Sequence, residues 1–257
     1  MKNFTAVIPT LLKNRDILIK LIESLLNDSA LSEIIVINNS EEYFEYIHEK
    51  VRVIANGKNL FVNPSWNLGV KEAKTDYVAL INDDIKIPTN LCSKILDKMN
   101  NKHGIVGISK KYVVETRDED NNTIINIDEI VLNDSKDVEL QPISYRTPNF
   151  GVLMIFNKKD YVQIPEELKI YYGDDWLVYQ ATKNKKLNMV AEGQEIYHLG
   201  SLSSKSFNTW AYNERKIYLN KVYPWYKRIF NSYETPIEKV FFIFFLKVTI
   251  KKKNIDI

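Results

Sequence analysis

Short, β-branched apolar runs alternate with stretches of helical period from the start of the chain, and that alternation fixes the fold class before any motif is considered. Phe4 to Ile8 is an apolar run stopped by Pro9, and Glu33 to Asn38 is a β-branched run stopped by Asn38-Asn39-Ser40. Between them Ile17, Leu18, Leu21, Ile22, Leu25 and Leu26 recur at helical spacing, with Arg15-Asp16 at the helix start. The order strand, helix, strand is a βαβ unit. Val51 to Ala55 continues it as a third strand, Asn67 to Ala73 as a helix, and Asp76 to Ile81 as a fourth strand ending at Asn82-Asp83-Asp84. A helix over Asn90 to Met99 and a strand over Gly104 to Ile108 follow. Such a pattern predicts an α/β fold with a mainly parallel sheet, whose ligands bind beyond the carboxyl ends of the strands where strand order reverses.

Past residue 108 the pattern loosens. Tyr112 to Gln141 carries nine acids against Arg117 and Lys136, and its short alternating runs, Thr123 to Ile127 and Glu129 to Leu132, predict a hairpin-bearing insertion. Phe150 to Phe156 reads as a strand and Asp174 to Lys185 as a helix. From Asn208 the chain is rich in Trp and Tyr, which we read as a helical C-terminal extension. The chain thus divides into an α/β unit over residues 1–207 and an extension over 208–257.

Composition narrows the classes. At 257 residues, 45% hydrophobic and 26% charged, the chain buries a real core and is not globally disordered. A single cysteine, Cys92, excludes an internal disulfide and any multi-cysteine zinc site, and points to a reducing compartment. The opening MKNFTAVIPT lacks the apolar segment of a signal peptide, and the most apolar run, Val240 to Leu246, is too short to span a bilayer. The expectation is a cytoplasmic protein, with peripheral attachment at the inner face of a membrane through a tail that carries five lysines and no acid between Lys239 and Lys253. A net charge of +2 removes the generic electrostatic case for nucleic-acid binding.

Three places carry chemistry. Asp83 and Asp84 leave the end of an apolar strand, where adjacent carboxylates offer hard oxygen ligands to Mg²⁺ or Mn²⁺; taken alone, Asn-Asp-Asp is also a turn signal. Asp174 and Asp175 sit at a helix start, where N-terminal capping accounts for one acid but does not require two, leaving a candidate general base. His198, in Tyr197-His198-Leu199-Gly200-Ser201, is a possible transition-metal ligand or a structural histidine, and Lys205 beyond it offers a phosphate a point charge. There is no GxxxxGK[ST], GxGxxG or GxSxG, so P-loop, dinucleotide and α/β-hydrolase readings lose their marks. Nothing beside Cys92 activates it as a nucleophile.

Taken in order, these residues resemble the GT-A-fold, family-2-like glycosyltransferases. Val7-Ile8-Pro9-Thr10 resembles that family's first-strand motif and Ile35 to Ser40 its "VVDNGS" segment. Asn59-Leu60 with Trp66-Asn67-Leu68-Gly69 fits the next block, Tyr77 to Ile85 the metal-motif strand, Gly173 to Leu177 the base motif, and Tyr197-His198 the late metal-ligand histidine. The resemblance covers about residues 1–207. It implies a Rossmann-like, mixed but mainly parallel sheet flanked by helices. It also implies transfer of a sugar from a nucleotide diphosphate sugar, a UDP-sugar first, to an acceptor hydroxyl, with inversion and a divalent ion. Carried over residue by residue, Pro9, Thr10 and Asn38 or Asn39 face the nucleoside, and Asn67 and Lys71 face the ribose and diphosphate; Lys205, read from its own charge, closes over the diphosphate. Asp83 approaches ribose or sugar, and Asp84 and His198, with Asp83 beside them, hold Mn²⁺ or Mg²⁺. Asp175 is the base, with Asp174 close behind. The sequence departs from the family in having Asn38-Asn39 where a carboxylate is expected, and Asn-Asp-Asp for the metal motif.

The acceptor implied is a glycan, a lipid-linked saccharide or another hydroxyl compound. A nucleotidyltransferase would want a Gly-rich loop after the first strand, and Thr10 to Arg15 has no glycine. The alternative class is a binding module for nucleotide sugar, nucleic acid or membrane that uses the aromatic and basic tail. Those aromatics otherwise pack on the catalytic unit or form a contact between copies of an oligomer.

Overall fold

The computed structural model describes residues 2–118, 122–200 and 208–223, together with three C-terminal strands; for residues 208 and 209 and for those strands the description is of the backbone. The chain runs β1 (Phe4–Thr10), α1 (Arg15–Leu26), β2 (Leu31–Asn38), β3 (Val51–Ala55), α2 (Val62–Glu72), β4 (Tyr77–Ile81) and β5 (Ile85–Lys86). Next come α3 (Leu91–Lys98), β6 (His103–Ile108), β7 (Val113–Glu115), β8 (Glu139–Ile143) and β9 (Leu153–Asn157). It continues through α4 (Gly173–Lys183), β10 (Leu187–Glu192), β11 (Ile196–His198) and α5 (Asn208–Val222), and ends in β12 (Tyr233–Glu234), β13 (Glu238–Ile243) and β14 (Leu246–Lys251).

Eight strands form the central sheet in the order β3-β2-β1-β4-β9-β6-β10-β8. The β1–β2, β1–β4, β2–β3 and β6–β10 pairs are parallel, whereas β9 runs antiparallel to both β4 and β6, and β8 to β10. The expected mixed, mainly parallel sheet flanked by helices is therefore present. Alternate residues of each central strand supply two separate cores, which is why those strands read as unbroken apolar runs. Phe4, Ala6, Ile8, Ile34, Val36, Ala79 and Ile81 pack with Leu18, Leu21 and Ile22 of α1 and Ile95 and Leu96 of α3. Val7, Ile35, Ile37, Val78 and Leu80 pack with Trp66 and Val70 of α2 and Leu177, Val178 and Ala181 of α4. Helix α2 lies so close to β1 that a Cβ at Gly69 would stand 2.1 Å from Val7 Cγ1, which only glycine allows.

Three elements differ from expectation. Helix α2 begins at Val62 rather than Asn67, because Pro64 falls in its first turn, where the missing N–H costs nothing. The acidic insertion forms no hairpin strands over 123–127 or 129–132; among its described residues only the bridge Arg117↔Thr123 pairs there, followed by a short 3-10 turn over Ile127–Glu129. Lysines of the domain satisfy its backbone instead. Lys86 Nζ donates to the carbonyls of Ile127 and Ile130, and Lys94 Nζ to those of Asp134 and Lys136. Lys20 and Lys98 pair with Asp128 and Asp137.

The C-terminal extension, expected to be helical, is helical among its described residues only over α5; beyond it β12, β13 and β14 form an antiparallel sheet of their own. The Val-Phe-Phe-Ile run of β13 is β-branched and aromatic, a composition that suits a pleated surface better than a helix. Its side chains, on which the expectation of membrane contact rests, lie outside the described residues, as do Lys252 and Lys253. Among the described residues no helix is long and apolar enough to cross a membrane.

Candidate active site

Strand order reverses around β1, which lies between β2 and β4, and the carboxyl ends of these strands open onto a cavity of about 490 Å³. Pro9 and Thr10 at the end of β1, Asn39 just past β2, and Asn82, Asp83 and Asp84 just past β4 all border it. The Thr10 hydroxyl donates to Asp83 Oδ2 at 2.5 Å and accepts from Leu12 N at 2.9 Å, so the turn after β1 holds the first aspartate. Burial, and next the charge of Asp84, push the Asp83 carboxyl up to about 6 against the hydrogen bond from Thr10.

Strand register builds the rest of this cluster. The short strand β11 pairs antiparallel with β5, setting His198 opposite Ile85, and parallel with β7, setting His198 opposite Glu115. His198 Nε2 thus lies 3.3 Å from Asp84 Oδ1, and its Nδ1 lies 3.0 Å from Glu115 Oε2. Burial alone would lower the His198 pKa, but Asp84 and then Glu115 outweigh it and hold it at about 10. Asn149 Nδ2 donates to Glu115 Oε1 at 2.8 Å. Asp84 Oδ1 is buried and, among the described residues, has no partner in hydrogen-bonding line despite the nearby imidazole.

The second acid pair opens α4. Tyr172, in the left-handed region at φ 60°, turns the chain into the helix. Asp174 borders the cavity, while Asp175, 8% exposed, lies behind it. Arg146, from the loop after β8, reaches both: its Nε is 3.2 Å from Asp174 Oδ2 and 2.8 Å from Asp175 Oδ2. Burial pushes Asp175 up to about 6 although Arg146 draws it down, and the charge of Asp174 adds to the rise. The Arg146 guanidinium, beside Asp174 and then Asp175, is held even more firmly charged than usual in spite of its burial.

Of the residues singled out in the sequence, Pro9, Thr10, Asn39, Asp83, Asp84, Asp174 and His198 border this one cavity. Asn38, Asn67 and Lys71 lie elsewhere. Asn38 closes a turn, donating to Glu42 O and accepting from Ser40 N. Asn67 ties α2 to residues 161–164, and Lys71 is an exposed residue in the last turn of α2. Neither Asn67 nor Lys71 borders the cavity, and Lys205 lies outside the described residues. Sequence reasoning missed Glu115, which stood in the acidic insertion as one acid among nine, and Arg146, which no local pattern marks.

Residues 5–178 match the model of Glycosyl transferase family 2. The chain belongs to that family. Its fold is similar to the crystal structure of S. aureus TarS 1-349, with a TM-score of 0.53 at 16% identity over 77% of this chain and 60% of that one. It is likewise similar to S. aureus TarS 1-349 in complex with UDP, with a TM-score of 0.55 at 16% identity over 86% of this chain and 66% of that one. The chain therefore spans less than two thirds of the length of these TarS chains, and at this identity the likeness is one of fold. No curated protein matches it. The family-2 cavity, as found here, is bordered by Asp83 and Asp84 beside a histidine and by Asp174, which an arginine bridges to the buried Asp175.

Proposed function

We propose that this family-2 chain transfers a sugar from a nucleotide diphosphate sugar, a UDP-sugar first, to an acceptor hydroxyl with inversion, in glycan or polysaccharide synthesis. The observation that carries the reading is the convergence of Asp83, Asp84, Asp174 and His198 on one cavity at the sheet's switch point. The structural likeness to TarS in complex with UDP supports the choice of nucleotide.

The residues present fit a divalent ion that arrives with its substrate. Among the described residues no three His, Cys, Asp or Glu side chains form a ready-made cage. Asp84 offers a buried, unsatisfied oxygen next to the His198 imidazole, with Asp83 adjacent. Mg²⁺ commonly takes one or two protein ligands and completes its shell with phosphate oxygens and water, and Mn²⁺ accepts imidazole as well. Bound there, the ion would act as a Lewis acid on the diphosphate leaving group.

The chain's own residues do the remainder. Pro9, Thr10 and Asn39 line the nucleoside side. Asp175 takes the proton from the acceptor hydroxyl as the new oxygen–anomeric carbon bond forms and the bond from that carbon to the phosphate oxygen breaks. One displacement by one base inverts the anomeric centre. A carboxylate held near 6 is matched to proton transfer at neutral pH. Arg146 keeps the neighbouring carboxylates from repelling each other out of position.

Calorimetric titration of UDP, GDP, dTDP and CDP, with and without Mn²⁺, tests the reading. Metal-dependent binding of UDP is expected. Failure of all four to bind in the presence of metal would remove the transferase reading.

A further inference from the structure

Helix α5 follows the residues matched by the family, yet one of its faces reaches the cavity wall at three points. Trp210, Glu214 and Tyr218 are spaced i, i+4 and i+8, and so share that face. The Trp210 ring lies 5.2 Å from the ring of Phe61, and the Tyr218 ring stacks on that of Tyr172 at 5.3 Å. Phe61 and Tyr172 both border the cavity, and both hold left-handed backbone, at φ 68° and 60°, that bulky side chains rarely adopt. Such strain persists only where the surroundings fix it.

Between the two ring contacts sits Glu214, 2% exposed. Its carboxylate accepts three consecutive backbone N–H groups, from Lys169 at 2.9 Å, Ile170 at 3.1 Å and Tyr171 at 2.7 Å. The carbonyls of the same loop go to α2: Asn63 Nδ2 donates to Leu168 O and Tyr171 O, and Lys169 O accepts from Asn63 N. The chain then passes Asn63 so closely that a Cβ at Gly173 would lie 2.1 Å from Asn63 Oδ1. The next two residues are Asp174 and Asp175. A loop without regular structure is thereby held at its amides by one helix and at its carbonyls by another.

We propose that Glu214 is a positioning residue for the acid pair: it fixes the 169–173 segment so that Asp174 is held at the cavity wall with Asp175 beside it. The inference rests on the transferase reading above. It assigns α5 to the working site and predicts that acceptor deprotonation, rather than donor binding, depends on this helix.

The test compares the full chain with Glu214→Gln, whose amide donates where one carboxylate oxygen accepted. Three readouts are hydrogen exchange, UDP affinity with Mn²⁺, and release of UDP from UDP-glucose and UDP-N-acetylglucosamine to water. Amides 169–175 should exchange at least about tenfold faster while those of β1, β2 and β4 stay protected. UDP affinity and donor KM should hold within about twofold as turnover falls roughly 10- to 100-fold, the cost of a displaced catalytic group. Should Glu214→Gln fail to fold, Glu214→Asp, with both oxygens on a shorter arm, gives the same readouts at smaller amplitude. Unchanged exchange at 169–175 overturns the proposal, and so does a parallel fall of turnover, UDP affinity and Tm, which marks a merely structural role. Absence of UDP binding in the unsubstituted chain sinks the transferase reading instead, and the exchange data then decide the clamp alone.

Discussion

Asp83–Asp84 border one cavity, Asp174 borders it with Asp175 beside it, and in each pair burial holds one carboxyl near 6. Their counter-charges differ. Arg146 bridges the second pair with a charge it cannot release, leaving that pair one negative charge in excess. Among the described residues the first pair has His198 alone in ion-pair contact, through Asp84, and His198 is shared with Glu115, so two carboxylates draw on one imidazole. An anionic excess around a buried, unsatisfied oxygen suits a cation brought with the substrate. A pair partly neutralised by arginine suits a carboxylate that must take up a proton. Two similar dipeptides are thus fitted for two different tasks by what surrounds them.

The largest expected effects break the comparison outright. Asp84→Ala should abolish Mn²⁺-dependent UDP binding in calorimetry. Asp175→Asn should leave that binding intact and lower sugar transfer by roughly 10²- to 10⁴-fold, the usual contribution of a general base. Wild-type turnover in Asp175→Asn would move the base to Asp174, the member of the pair that borders the cavity. Glu115→Gln comes next. It keeps His198 in place but weakens the acceptor that orients its ring, and should reduce Mn²⁺-dependent UDP affinity about 10- to 100-fold, as outer-shell partners of metal-binding histidines do. Unchanged affinity would mean that Glu115 serves only to pair β7 with β11.

How readily each part could be read from the sequence follows from the same contrast. β1, β2 and β4 were legible because both of their faces are buried, so apolar residues run almost unbroken along them. β8 was not, because it is an edge strand of mostly exposed residues with Pro142 within it. Asp84 and Asp174 were legible because each pair lies at the end of a clear element. Glu115 and Arg146 were not, because strand register in one case and an irregular loop in the other bring them to the site across long stretches of chain. Local sequence records where an element ends; it does not record what is folded against that end.

A pH measurement sharpens the account of Asp175. In the unfolded chain its carboxyl titrates near 3.9, and in the folded chain near 6. Below about pH 4 both states are protonated and the residue costs nothing. As pH rises from 4 to 6 the unfolded chain ionises first, so the native state loses stability, by on the order of 2–3 kcal/mol once pH exceeds 6. Turnover should therefore rise with pH through about 6 in the same interval in which the protein becomes less stable. Asp175→Asn should raise Tm at pH 8 and leave it nearly unchanged at pH 4. An equal change at both pH values would show that burial does not shift this carboxyl.

The smallest effect on the donor site is expected at Asn67, which the family resemblance assigns to the ribose side. Its Nδ2 donates to Ile164 O at 2.9 Å, and its Oδ1 accepts from Tyr161 OH at 2.6 Å and from Ile164 N at 2.9 Å. With those bonds made, the side chain has little left to offer a ligand, and it does not border the cavity. Asn67→Ala would leave the Ile164 backbone groups and the Tyr161 hydroxyl unpaired, a loss of about 1–3 kcal/mol in unfolding free energy. UDP affinity should stay within about twofold of the unsubstituted chain, whereas Asn39→Ala, at the cavity wall, should weaken it more. A large loss of UDP affinity in Asn67→Ala with little change in stability would mean that the 161–164 segment opens when donor binds, releasing Asn67 to the ribose.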